Sequence, residues 1–134
     1  MTFDVSQFEL EDTGYFTVLN AKGDDDLLVD GNPVIIRMYG SGSDQAVKAN
    51  RKEISRTTAR TKAMFTGKTP PNDAENAERE AAEKLAAVTA SIENFPVEGG
   101  ALALYRNPKL GYITKQAAKF FADDANFSKG LVPS

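Results

Sequence analysis

The chain contains no cysteine and no histidine. Without cysteine there is no disulfide, no thiol nucleophile and no soft-metal ligand, and nothing in cysteine usage signals an oxidising compartment. The missing histidine excludes more. It removes Ser-His-Asp and Cys-His catalytic arrangements, the usual imidazole base and nearly all zinc sites. Long apolar runs are absent too: Val34-Ile35-Ile36 and Ala101-Leu102-Ala103-Leu104 fall far short of the roughly 20 residues a membrane span needs. Residues 1–10 carry Asp4 and Glu9 and have neither the basic start nor the apolar stretch of a signal peptide. The expectation is a soluble, non-exported chain with no membrane contact, intracellular or carried inside a particle. An excess of positive charge is also lacking. The net charge of −3 argues against general nucleic-acid affinity.

What is present suits one domain over residues 1–134, a length that buries enough surface to fold without a cofactor. Hydrophobic residues make up 41%, slightly under the globular norm, which predicts a modest core and a surface that depends on partners. Residues 1–40 read as β-rich. Tyr15, Thr17 and Leu19 alternate with Phe16, Val18 and Asn20, and Val34-Ile35-Ile36-Arg37-Met38-Tyr39 forms a second β-favouring run. The Gly-, Asp- and Asn-rich stretch between them is turn chemistry, with 27–29 as a short middle strand. Residues 44–127 read as helical. Ser43 or Asp44 can cap a helix reaching to about Phe65, whose apolar positions Val47, Ile54, Ala59, Ala63 and Met64 make only a narrow stripe.

Asn72 with Glu75 resembles a capping box for the next helix. There Ala74, Ala77, Ala81, Leu85, Val88, Ile92 and Phe95 recur at steps of three and four, predicting one long amphipathic helix whose small residues allow close helix approach. Residues 101–105 fit a helix or a strand equally. Asn107-Pro108 offers a cap and first-turn proline, and Ile113, Ala117, Phe120 and Phe121 form the apolar face of a terminal helix from Tyr112 to about Ala122. Residues 128–134 read as a flexible tail. The fold class expected is α+β: an N-terminal β-hairpin or small meander followed by three to four helices.

Several motifs invite chemistry and fail on spacing. Asp24, Asp25, Asp26 and Asp30 resemble a calcium loop, yet counted from Asp26 the third position is Leu28 and the twelfth, where a bidentate glutamate belongs, is Arg37. Gly40-Ser41-Gly42-Ser43 lacks the Gly-Lys-Ser/Thr ending of a phosphate-binding loop and serves as a strand-to-helix connector. Asp123 and Asp124 point about 100° apart on a helix, and Lys115 stands alone. No base, nucleophile and orienting group occur together, so no catalytic, cofactor-binding or metal-binding residue is assigned and no enzymatic activity is expected.

Charge is more informative. Residues 44–68 hold seven basic residues against two acidic ones, and residues 73–95 hold six acidic against two basic. Opposite charge on consecutive helices favours an antiparallel pair, or alternating contacts between copies in a homo-oligomer. No aromatics interleave with the basic residues, so a nucleic-acid role is not expected. Two surfaces are singled out for partner binding. One is the basic face Arg51, Lys52, Arg56 and Arg60, suited to an acidic partner. The other is the C-terminal set Leu104, Tyr105, Phe120, Phe121 and Phe127, as core or docking patch.

The order of segments supports a resemblance. A β-run closing in Val34-Ile35-Ile36-Arg37-Met38-Tyr39-Gly40-Ser41-Gly42-Ser43 leads into a basic helix. Then follow Ile92-Glu93-Asn94-Phe95, Ala101-Leu102-Ala103-Leu104-Tyr105, Pro108, Ile113-Thr114-Lys115-Gln116 and Phe120-Phe121-Ala122-Asp123-Asp124-Ala125-Asn126-Phe127. This arrangement resembles the tail assembly chaperones of long-tailed bacteriophages, most strongly over 101–127. Phe95 and Tyr112 stand where relatives often carry tryptophan. The resemblance implies a tail-morphogenesis helper in the host cytoplasm that binds tape-measure or tail-tube protein. The alternative is a structural part of the virion tail, a tail-completion or head-tail connecting protein forming a ring.

Overall fold

The computed structural model describes residues 5–67 and 73–128. The expected cap at Asn72 and the tail beyond Ser128 lie outside the described residues. The architecture is mixed α+β, with a three-stranded antiparallel sheet carrying helices on one face.

Strands β1 (Thr13–Thr17) and β4 (Ile35–Tyr39) pair antiparallel with Phe16 opposite Ile36 and Gly14 opposite Met38. Between them the chain makes a small excursion in which β2 (Leu28–Val29) pairs with β3 (Asn32–Pro33). Turn chemistry drives it: Asp30 and Gly31 both take positive φ, the backbone that Asp tolerates and Gly favours. The period-two alternation divides the sheet into two faces. Val18, Val34, Ile36 and Met38 are fully buried, while Tyr15 on the other face is 60% exposed beneath the Arg37 guanidinium.

Helix α1 (Asp44–Phe65) starts where the β-run ends. Ser43 caps it, accepting from the Ala46 amide at 3.2 Å and donating its hydroxyl to the Gly40 carbonyl at 2.7 Å. Helix α2 (Asp73–Ala87) follows, then the third strand, β5 (Thr89–Glu93), which pairs with β4. Here the expectation of one helix as far as Phe95 is corrected. Ile92 continues the helical spacing of Leu85 and Val88, yet in the strand it shares its face with Thr89, the two opposing Ile36 and Met38. The β-branched Val88, Thr89 and Ile92 and the open edge of β4 decide for the strand. Tyr39 donates its amide to Val88, and the Thr89 hydroxyl donates to the Leu85 carbonyl as the helix ends. A bulge at Ala90, between Thr89 opposite Met38 and Ser91 opposite Arg37, re-phases the strand.

Residues left open between helix and strand form α3 (Gly100–Arg106). Asn107 caps the short 3-10 turn Pro108–Leu110, and α4 (Gly111–Ala122) runs on to a second such turn, Asp124–Phe127. The core lies between the sheet and these last helices, where Leu104, Ile113, Ala117 and Phe127 join the buried strand residues.

Phe127 ties the last 3-10 turn to the sheet. Its ring lies on Gly14 and Gly40, where an added Cβ would come within 3.1 and 3.2 Å of ring carbons and within 2.7 Å of the Asn126 and Glu11 carbonyl oxygens. Phe120 and Phe121 meet the same ring edge-on, with centroids at 5.3 and 6.5 Å. Its carbonyl accepts from Glu11 at 2.6 Å.

Candidate protein-docking surface

Helix α1 is anchored at its N-terminal end, where Ala46 and Ala49 are its only buried residues. Further along, long charged side chains connect it to α2. Arg56 reaches Glu83 at 2.6 Å and Glu80 at 3.9 Å, Arg60 reaches Glu80 at 2.5 Å, and Lys84 reaches Glu53 at 2.5 Å. The pairing order shows that the helices run antiparallel, as opposite charge predicted. The Glu83 carboxyl is held below its ordinary value chiefly by the hydrogen bond from Arg56. All these groups keep access to water, so each pair is worth at most about 1 kcal/mol.

The expected close approach through alanines does not occur. Ala74, Ala77 and Ala81 are exposed, and the buried residues of α2 lie at Ala82 and Leu85 instead. The ion pairs span a groove of about 1030 Å³, walled by α1 and α2 and floored by α3 and α4. The groove brings Lys52, Arg56 and Arg60 to the same depression as Tyr105 and Phe121.

The residues singled out in the sequence therefore separate. Arg51 and Lys52 are exposed, whereas Arg56 and Arg60 are half-buried and engaged by this chain's own carboxylates. Leu104, Tyr105 and Phe127 are core residues, and Phe120 and Phe121 are half-buried against Phe127. The Tyr105 hydroxyl bonds Thr89 Oγ1 at 2.7 Å, and burial raises its pKa. The basic face and the aromatic set do not make one continuous outer patch.

The large apolar residues of α1 point the other way. Val47 is 37% exposed, Ile54 57%, Met64 67% and Phe65 87%. At about 100° per residue, the charged residues of α1 all fall outside an arc of about 120° that holds Val47, Ile54, Thr58, Thr61, Met64 and Phe65. A surface helix normally turns its large apolar residues to its neighbour, whereas here Glu53, Arg56 and Arg60 take that side and the large apolar residues stand in water. Ile54 and Met64 belong to the narrow stripe that the sequence predicts, which does not include Phe65. Plotting where charge is missing, rather than where apolar residues recur, would have located this face.

Among the described residues there is no group of three or more Asp or Glu side chains arranged to hold a metal ion, and no helix is long and apolar enough to cross a membrane. Asp24, Asp25 and Asp26 are exposed in the 20–26 turn. No protein-family model, no curated protein and no solved structure matches the chain.

Proposed function

We propose that the chain is a tail-morphogenesis protein of a long-tailed bacteriophage, an assembly chaperone that holds tape-measure or tail-tube protein in the host cytoplasm. It works by contact, not by chemistry. The observation carrying this reading is the outward face of α1, where Ile54, Met64 and Phe65 stand in water on the side away from the Arg56 and Arg60 ion pairs to α2. Apolar residues clustered in this way mark a surface that a partner covers. The segment 101–127, on which the resemblance rests most strongly, supplies Leu104, Tyr105, Ile113, Ala117 and Phe127 to the core. Co-expression with the tape-measure protein is the test. Soluble tape-measure protein that depends on this chain is the expected result, and equal solubility without it ends the chaperone reading.

A second reading, a structural virion component assembled as a ring, draws on β1, which among the described residues lies at the edge of the sheet and pairs with β4 alone. An edge strand of this kind can add a strand from a neighbouring copy. Mass spectrometry of purified particles separates the two readings: stoichiometric presence favours the structural role and absence favours the chaperone.

A further inference from the structure

We propose that the outward face of α1 receives an amphipathic helix of another protein whose apolar seam is flanked by carboxylates. The proposal rests on the contact-protein reading above and names the partner's chemistry at the same face.

The spacing argues for a helix. Ile54, Thr58, Thr61 and Phe65 follow at steps of four, three and four, with Val47 seven residues before Ile54. This is the seam spacing by which one helix packs its side chains between those of another. From Val47 to Phe65 the seam is about 27 Å long, five helical turns, at 1.5 Å per residue. The threonines at its centre are small enough for a second helix to approach closely.

The charge around the seam argues for the partner's sign. On one flank stand Lys48, Arg51 and Lys62, all exposed and none of them in an ion pair among the described residues. On the other flank Glu53 and Arg60 are already engaged by Lys84 and Glu80. The charge available on the rim is therefore positive, and an acidic-flanked helix is steered to it and held in register.

The same charges disfavour a second copy of this chain. An antiparallel copy would set Arg51 and Lys62 against their equivalents. A parallel copy would set them against Glu53 and Arg60, which already have partners. Each arrangement either repels or must break an existing ion pair.

The test uses the whole chain and two synthetic helical peptides of about three heptads. They share a Leu/Ile seam and differ only in carrying glutamate or lysine on both flanks. Titration by fluorescence anisotropy should show the glutamate peptide binding at least about tenfold more tightly, by analogy with close charge pairs at other interfaces. Ile54→Glu with Phe65→Glu should abolish binding, and Arg51→Glu with Lys62→Glu should reverse the preference. Circular dichroism of each variant checks that the fold is retained. Equal binding of the two peptides, or binding indifferent to Ile54→Glu with Phe65→Glu, overturns the proposal. So does a concentration-dependent dimer in sedimentation that this double variant dissolves, since the occupant would then be a second copy. Co-expression with tape-measure protein can fail while the peptide preference stands, and the reverse, so the two claims are judged separately.

Discussion

Replacing Phe127 by alanine removes a ring that is 1% exposed, lies on Gly14 and Gly40, and meets Phe120 and Phe121 edge-on. Burying a phenylalanine and then deleting it costs about 3–5 kcal/mol once the residual cavity is counted. Two edge-on aromatic contacts contribute about 0.5–1.5 kcal/mol each within that total. The site lies in a short 3-10 turn that can settle toward the sheet, so the low end, about 3 kcal/mol, is the expected loss. The hydrogen bond from the Glu11 amide to the carbonyl of residue 127 uses only backbone and survives the change. In urea, with a slope of about 2 kcal/mol per molar, the unfolding midpoint should fall by about 1.5 M. Gly14→Ala offers a check on geometry. Its Cβ would lie 3.1 Å from the Phe127 ring and 2.7 Å from the Asn126 carbonyl oxygen. Its penalty should therefore shrink in the Phe127→Ala background, a non-additivity of about 0.5 kcal/mol or more. A loss below about 1 kcal/mol for Phe127→Ala, or strict additivity, would refute the picture of a ring seated in a glycine slot.

Ile54→Glu and Phe65→Glu, at 57% and 87% exposure, should each change unfolding free energy by no more than about 0.5 kcal/mol, read from urea melts. Arg56→Ala should lower stability by up to about 1 kcal/mol, an effect that high salt erases. Because the folded-state pKa of Glu83 lies below its ordinary value of 4.5, its contribution is present above that value and disappears as pH falls through the lowered one. Thermal melts of wild type and Arg56→Ala should therefore converge as the solution is acidified. Gln116 accepts from the Leu19 amide at 2.7 Å and donates to the Leu19 carbonyl at 3.0 Å, closing the backbone just beyond β1. Gln116→Ala should cost about 1 kcal/mol and speed hydrogen exchange at Leu19.

Much of the local structure was legible in the residues. The Ser43 cap, the helix from Asp44 to Phe65 and the terminal helix followed from capping chemistry and helical spacing, because neighbours in the chain decide those features. The third strand was hidden between helix and strand because Ile92 continues the helical spacing of Leu85 and Val88 while the bulge at Ala90 breaks the period of two. Only the edge of β4, some fifty residues earlier, selects between them. The candidate site was half visible. Arg51, Lys52, Arg56 and Arg60 stood out as basic, but which of them remain available depends on the position of Glu80 and Glu83 across the groove. The apolar outward face shows in the sequence only as a narrow stripe, because a sequence wheel does not say which side the neighbouring helix occupies.

The most direct test of the central claim is the fraction of tape-measure protein that stays in the supernatant when it is co-expressed with wild-type chain, with the Ile54→Glu, Phe65→Glu double variant, or alone. The account predicts high solubility with wild type and a fall to the level of tape-measure protein alone with the double variant, whose own fold and expression are unchanged. Solubility equally high with the double variant would show that the outward face of α1 is not where this protein does its work.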